Sequence, residues 1–361
     1  MVQEHVTNCL PYTESYFGAC NTAEGFYSLF GEIFDPKKLD RIYILKGGPG
    51  TGKSTLMKKV ALAAQQAGQY VRYYYCSSDT SSLDGIVLPD AKIAVLDGTA
   101  PHATDPCYPG AVEELINLGA YFDTAKLRRA RGEIMAIVQE KQLLYRRVYD
   151  RLRCAASHMR ICREICADAL DKEKMLQAIQ RILRGTAQGG ESMSNRCYVT
   201  AIGTKGIVHF STFEQAAQKR LWVINGHGGN ALFFQMMREE MQHTNTKHTV
   251  LCDIEHPALC EGIYLPKQKQ VIRAQNNLEI PQSDRTINME RFYDKQVLRE
   301  QRQALRAAIS GAKSARMHAL ELLQQIGRMH EALEQIYIAQ MDFSGVEQQT
   351  SELIKTIKKA F

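Results

Sequence analysis

The run Gly47-Gly48-Pro49-Gly50-Thr51-Gly52-Lys53-Ser54-Thr55 has the residue types and spacing to hold phosphate. It fits the pattern G-x-x-x-x-G-K-[ST]. Glycines let successive backbone N–H groups converge on phosphate oxygens, and a helix starting just after them adds the positive end of its dipole. Lys53 would then bridge the β- and γ-phosphates of a nucleoside triphosphate, and Ser54 would hold Mg2+. A chance glycine turn before a helix is the bland alternative, and the completeness of the match argues against it. Ile93-Ala-Val-Leu-Asp97 adds an apolar strand ending in a carboxylate, which suits Asp97 to bind Mg2+ through its water shell. The alternative is an Asp that only caps a turn. Gly98 and Thr99 follow, so no carboxylate directly after Asp97 can act as general base. Asp79, past the run Val71–Cys76, and His102, just beyond Asp97, are the nearest candidates to orient water, with Asp84 a third. For each of these a loop cap or a solvated side chain is the competing reading.

Such groups meet only if strands carry them to one edge of a sheet. Ile42–Leu45 is a short apolar run that reads as a buried strand, with a helix from about Lys53. Val71–Cys76, Ile93–Leu96 and a shorter Ile86–Leu88 read as further strands. Strands alternating with helices predict a layered α/β unit around a mostly parallel sheet, which binds ligands at the carboxyl edge of its strands. From about Thr124 the pattern turns helical, with Ile134, Ile137, Leu144, Val148, Ala155, Met159, Cys162 and Cys166 as an apolar stripe.

The unit occurs twice. Arg41-Ile-Tyr-Ile-Leu-Lys-Gly47 is echoed by Arg220-Leu-Trp-Val-Ile-Asn-Gly226, and Thr22-Ala-Glu-Gly25-Phe26 by Thr204-Lys-Gly206-Ile207. Leu83-Asp-Gly-Ile-Val-Leu-Pro89 returns as Leu259-Cys-Glu-Gly-Ile-Tyr-Leu-Pro266, and Phe122-Asp123 as Tyr293-Asp294. The order is kept at a separation of about 170–180 residues, which marks a duplication. The expected organisation is residues 1–185 with a helical appendage over about 120–183, a Gly/Ser-rich linker over 186–197, and 198–361 with an appendage from about 291. In the second appendage Leu305, Ala308, Ala312, Ala315, Ala319, Leu322, Ile326, Met329, Leu333 and Ile336 form a seam of small and apolar residues, fit for close helix approach.

The second copy has lost the chemistry. Aligning Gly226 with Gly47 sets Leu232 and Phe233 where Lys53 and Ser54 stand, and no carboxylate near Arg273-Ala274-Gln275 matches Asp97. An apolar pair neither neutralises a triphosphate nor coordinates Mg2+. A structural or regulatory role is expected there.

Composition bounds the rest. With 45% hydrophobic and 23% charged residues over 361 positions, the chain is neither disordered nor low-complexity. No uncharged apolar run approaches the ~20 residues of a membrane span. Met1–Cys20 lacks the basic-then-apolar order of a signal peptide, and ten cysteines without a tight CxxC framework suggest reduced thiols, so a cytoplasmic location is expected. The +6 net charge is concentrated: between Lys126 and Arg163 eleven basic residues face three acidic ones. The cluster Lys126, Arg128, Arg129 and Arg131 reads as a phosphate-sensing lid, a nucleic-acid contact or a solvated helix face. Sparse aromatic residues nearby weaken the nucleic-acid reading. Cys154, His158, Cys162 and Cys166 recur every four residues, but on one helix the outer pair lies about 18 Å apart. A single metal with ligands at about 2.0–2.3 Å cannot gather them, so small core residues are the favoured reading.

With ILKGGPGTGKSTLMKK, CSSD-x-x-SLDG and AVLDGTAPH in the first copy, the chain resembles the P-loop NTPases. Its tandem architecture looks like an uncharacterised bacterial family of duplicated P-loop ATPases. The resemblance implies two P-loop NTPase-like three-layer units, the second degenerate, packed as an intramolecular pseudo-dimer, with ATP and Mg2+ as cofactors. It supplies no substrate. The expected function is ATP hydrolysis at one site in the N-terminal half. Phosphoryl transfer to a nucleotide or small-molecule acceptor is one alternative. A low-turnover ATP switch gripping a protein partner through the helical arms is another. The absence of N-K-x-D after Asp97 tilts the base preference toward adenine.

Overall fold

The computed structural model describes residues 14–186, 194–275 and 283–360. Its first half runs β1 (Glu14–Phe17), β2 (Ala19–Thr22), β3 (Gly25–Ser28), α1 (Phe30–Ile33), β4 (Arg41–Lys46), α2 (Lys53–Gln66), β5 (Arg72–Tyr75), β6 (Leu83–Leu88), β7 (Ile93–Asp97) and β8 (Glu113–Asn117). Three helices follow: α3 (Thr124–Arg129), α4 (Arg131–Asp168) and α5 (Lys172–Ile182). The second half repeats the series. Its strands are β9 (Ser194–Cys197), β10 (Thr200–Gly203), β11 (Gly206–His209), β12 (Lys219–Ile224), β13 (His248–Cys252), β14 (Cys260–Leu265), β15 (Gln270–Ala274) and β16 (Arg285–Asn288). Its helices are α6 (Thr212–Ala216), α7 (Asn230–His243), α8 (Lys295–Glu300), α9 (Arg302–Ile338) and α10 (Phe343–Lys358). Of the stretch expected to be a linker, residues 187–193 lie outside the described residues, while Ser194–Cys197 form the edge strand β9.

Two six-stranded sheets have the same order, β1-β5-β6-β7-β4-β8 and β9-β13-β14-β15-β12-β16. Each is mostly parallel, as expected, with five strands running one way and a single strand reversed. β6 runs antiparallel to both β5 and β7, and β14 does the same between β13 and β15. Connection length is the cause: a parallel return needs a crossover of a dozen or more residues. Only residues 76–82 and 89–92 link these three strands of the first sheet. β4 lies between β7 and β8, parallel to both, with Leu45 opposite Asp97.

Side-chain alternation divides the core. On β4, Tyr43 and Leu45 face Leu56, Met57 and Val60 of α2, while Ile42 and Ile44 face the opposite way. That other face belongs to a buried cluster that also contains Trp222, Leu251 and Val271 of the second sheet, so the halves share a core.

The helical appendages exchange. α4 and α9 pair antiparallel: Lys141 meets His330 near one end, and Gly311 lies against His158 toward the other. Ala155, Ala308, Ala312 and Ala319 are buried on these two helices, which permits close approach. α5 of the first half packs on α7, contributing Met175 and Ile179 to the second half's core. α10 of the second half packs on α2 through Val346, Leu353 and Ile357. The hairpin turns cross over as well: Ala23 N–H donates to Glu255 O at 2.9 Å and Thr204 N–H to Ser78 O at 3.2 Å. Among the described residues no helix is long and apolar enough to cross a membrane.

Candidate functional site

The glycine loop leaves the carboxyl end of β4 and enters α2 through Gly52, whose φ of 87° lies in the left-handed region open to glycine. Lys53 begins the helix, largely buried, and its ammonium donates to Gly47 O at 2.9 Å and Gly48 O at 2.8 Å. Across the adjacent strand, Asp97 stands 3.6 Å from Lys53 Nζ. Burial pushes the Asp97 carboxyl up, opposed by Lys53 and by the Thr99 hydroxyl and amide. Ser54, one residue further along α2, accepts Leu83 N–H at 3.0 Å, which ties the helix start to β6. Thr51 is buried and donates to Gly48 O at 2.9 Å. Thr55 is exposed on the outer face of the first turn.

The three base candidates are placed differently. His102 is buried, stacked on Phe30 at 4.4 Å, with Nε2 3.1 Å from the Asp84 carboxylate. It is not a solvated loop histidine. Asp84 in turn lies close enough to Asp97 to raise its pKa. Asp79 sits in the loop between β5 and β6 and accepts from Ser81 N–H, the Ser81 and Ser82 hydroxyls, and Lys205 at 2.9 Å. Burial raises its pKa, but the Ser81 hydroxyl and Lys205 outweigh that and hold it at about 2. The pair Asp79–Lys205 joins the first half's site to the hairpin turn of the second half.

More of the second half reaches this site than the motifs suggest. The last turns of α9 lie directly on the glycine loop. A Cβ on Gly50 would stand 2.7 Å from Ile338 Cγ1 and 3.0 Å from the main-chain oxygen of Glu334. One on Gly48 would meet Tyr337 at 3.3 Å. Glycine is therefore required at Gly50, which also has a φ of 70°, while at Gly48 a side chain would only be tight. His330 and Glu334, one turn apart, face each other at 3.6 Å, and the Lys141 ammonium donates to His330 Nδ1 at 2.8 Å. Burial, with the Lys141 charge, drops the His330 pKa to about 4, so the ring is neutral and can accept that proton. Burial pushes the Glu334 carboxyl up, aided by Asp79 and opposed by the Gly50 amide, Lys53 and Lys141. Lys141, Lys205, His330 and Glu334 carry no local motif. The only sequence hint is an acidic residue four positions after a histidine beside the apolar seam of α9.

In the second half the alignment read from sequence slips. Leu221 and Val223 face α7 as Tyr43 and Leu45 face α2, so the strands correspond one residue away from the match of Arg41 with Arg220. α7 begins at Asn230, and its buried Phe233 and Phe234 occupy the places of Leu56 and Met57. Asn230 and Ala231, not Leu232 and Phe233, therefore stand where Lys53 and Ser54 do, and the loop is one residue shorter. The cause is side-chain parity: a one-residue slip turns every strand side chain to the wrong face. The loss of charged groups is unchanged, since Ala274 takes the register of Asp97. This loop is closed by α4. Cys166 Sγ and Tyr293 OH donate to Gly226 O at 3.5 and 3.2 Å, and Cys162 and Met159 lie against Gly228. Cys162 and Cys166 are fully buried while Cys154 is exposed, so the four-residue series does not converge. Among the described residues no group of three or more His, Cys, Asp or Glu is gathered as for a metal ion. Lys126, Arg128, Arg129 and Arg131 are exposed on α3 and the start of α4.

The family model described as Nephrocystin 3, N-terminal, matches residues 28–87, from the end of β3 through the glycine loop and α2 into β6. No curated protein and no solved structure matches the chain.

Proposed function

We propose that the first half is a P-loop NTPase unit that binds ATP with Mg2+ at the Gly47–Thr55 loop and hydrolyses it, the second half being a degenerate copy. The observation that carries this reading is the glycine loop between a buried strand and a helix, with Lys53 3.6 Å from Asp97 of the neighbouring parallel strand. Backbone amides of the loop would hold the phosphates, and Lys53 would turn from its loop carbonyls toward the β- and γ-phosphates. Ser54 and Asp97 offer hard oxygen donors, and so short a protein ligand set suits Mg2+, which takes its remaining ligands from phosphate and water. Bound there, the ion would neutralise charge on the transferring phosphoryl group.

Asp79, held ionised by Lys205, is suited to accept a hydrogen bond from the attacking water rather than to take up its proton. His102, buried with its Nε2 3.1 Å from Asp84, is the other candidate to orient that water. The absence of a carboxylate after Asp97 favours a second reading, phosphoryl transfer to an acceptor hydroxyl. The test is binding and turnover of Mg·ATP and Mg·GTP by the whole chain and its Lys53→Ala variant, with and without a pool of nucleoside and small-molecule acceptors. Free phosphate from wild type alone supports hydrolysis, and label appearing in an acceptor supports the kinase. Equal binding by wild type and Lys53→Ala removes the assignment.

A further inference from the structure

Each half reaches into the other through the turn of a two-stranded hairpin, and the two reaches agree in backbone but not in charge. Between β2 and β3 the turn is Ala23-Glu24-Gly25, and between β10 and β11 it is Thr204-Lys205-Gly206. Gly25 and Gly206 close these turns at φ of 104° and 103°. Ala23 N–H donates to Glu255 O at 2.9 Å and Thr204 N–H to Ser78 O at 3.2 Å, so Glu255 is the counterpart of Ser78. The next residues, His256 and Asp79, hold their loops alike: Leu259 N–H donates to His256 O at 2.8 Å and Ser82 N–H to Asp79 O at 2.9 Å. Glu24 then stands 3.5 Å from His256, while Lys205 stands 2.9 Å from Asp79. The cation is thus delivered to the half that keeps Lys53.

We infer that Lys205 is a positioning residue for hydrolysis at the first glycine loop, acting through Asp79, so that the degenerate half completes the active site of the other. This rests on the hydrolysis reading above. The loop bearing Asp79 is tied to the start of α2: Ser54 Oγ accepts Leu83 N–H at 3.0 Å, and Lys58 Nζ donates to Ser81 O at 2.6 Å. The turn bearing Lys205 is backed by α9, where a Cβ on Gly327 would stand 3.0 Å from Thr204 Cβ. Glu334 and Ile338 of the same helix, seven and eleven residues further on, lie on Gly50. That spacing is about 10–16 Å along the axis. In hydrolysis the water oxygen bonds to the γ-phosphorus while the bond to the bridging oxygen breaks and its electron pair leaves on the diphosphate. One water proton stays on the released phosphate and the other goes to solvent, so Asp79 has only to hold the water in line. Its direction is set by Ser81 N–H at 3.0 Å, the Ser81 and Ser82 hydroxyls at 2.8 and 2.9 Å, and Lys205. Either hydroxyl can rotate and free a lone pair for the water. The serine donors belong to the same loop and move with it. Lys205 fixes the carboxylate from outside, on a turn pinned by the Thr204 hydroxyl to Ser78 O at 2.6 Å. The other copy has Ala258 and Leu259 in place of the serines, and no carboxylate is built there.

The experiment measures kcat and KM for Mg·ATP, Kd for a slowly hydrolysed analogue, and Tm. It uses the full chain and its Lys205→Met, Lys205→Arg, Glu24→Gln and Lys53→Ala variants. Lys205→Met should lower kcat by about a hundredfold with Kd unchanged. Lys205→Arg should regain most of that loss, and Glu24→Gln should match wild type. Unchanged kcat in Lys205→Met overturns the inference. Weaker analogue binding with kcat intact also overturns it and makes Lys205 a phosphate-binding group. A loss that Lys205→Arg does not regain, or that Glu24→Gln shares with an equal fall in Tm, reduces the turn to a structural role. Turnover lost in Lys53→Ala but kept in Lys205→Met leaves the hydrolysis reading standing and removes this inference alone. If wild type releases no phosphate, the reading itself is lost, and the inference falls with it.

Discussion

The two glycine loops of this chain sit on the same scaffold and are closed by different chemistry. Each follows a strand one in from the sheet edge, opens a fourteen-residue helix, and is covered by the end of a long helix from the opposite half. Over Gly48 and Gly50 that cover brings Tyr337 and Ile338, with the neutral His330 ring 3.6 Å from Glu334 one turn back. Over Gly226–Gly229 it brings two thiols and a methionine, and Tyr293 of the same half adds a hydroxyl that donates to the loop. A glycine turn is thus not in itself an anion site. A phosphate site also needs a cation at the helix start, and of the two loops the first has one, Lys53, where the second has Asn230.

The largest effect that tests this contrast is at the helix starts. Lys53→Ala should abolish detectable Mg·ATP binding, while Ala231→Ser, at the position matching Ser54, should leave it unchanged in titration calorimetry. A converse version is sharper. Asn230→Lys combined with Ala231→Ser gives the second loop the missing residue types, yet it should restore no second binding event. That loop is one residue shorter and stays filled by Cys166 and Tyr293. Two equivalents of nucleotide bound by the double variant would show that side-chain identity alone decides.

Next in size is a position deep in the two sheets. Leu96 on β7 and Arg273 on β15 occupy the same register, opposite Gly85 and Gly262. Arg273 is fully buried and donates to Glu214 at 2.7 Å, Glu261 at 2.6 Å and Thr200 at 2.7 Å. Burial raises the Glu214 pKa, but His209 and Arg273 outweigh it and hold that carboxyl at about 2. Arg273→Leu copies the first sheet and leaves two buried carboxylates without their cation, which should cost about 3–5 kcal/mol in urea unfolding. Phe233→Ala on α7 should cost a similar ~3–5 kcal/mol through the cavity it leaves. Nucleotide affinity at the first loop should survive both under native conditions. Glu214 also adds an acid limb: its stability contribution is complete above the ordinary carboxylate pKa and is lost as pH falls toward about 2. Arg273→Leu should flatten that limb.

Much of this architecture is legible in sequence because its signals are local. The glycine loop, the strand ending in Asp97 and the change to helix near Thr124 each lie within a few residues, and the duplication is visible as repeated short strings. The contacts that complete the site are not local. Lys205 meets Asp79 and α9 meets Gly50 across more than a hundred residues, and nothing in a helical seam says which half it will cover. Antiparallel β6 was hidden for another reason: an apolar strand looks the same in either direction, and only the short connections on both sides betray it. His102 shows the same limit. Its neighbours Pro101 and Ala103 suggest an open loop, while Phe30 and Asp84, distant in sequence, bury it.

The smallest expected effect separates the covers by their charge. His330 has its pKa lowered to about 4 by burial and by Lys141, whereas an unfolded chain takes up this proton near 6.5. The folded state therefore binds fewer protons between these values. Stability from this group is complete above about 6.5 and falls as pH drops toward about 4. The side chain keeps 41% of its exposure, so solvent screening limits the contribution to about 1 kcal/mol or less. Lys53, Lys141 and Asp79 bear on the same ring, and Glu334 faces it at 3.6 Å. In thermal melts at about pH 7 and about pH 5, wild type should lose more Tm than His330→Gln. A matching change in the second cover, Met159→Gln, should leave the wild-type pH slope intact, because no titrating ring faces that loop from Met159. Equal slopes for wild type and His330→Gln would mean that the cover over the first loop does not sense protons, and the contrast between the two loops would then reduce to Lys53.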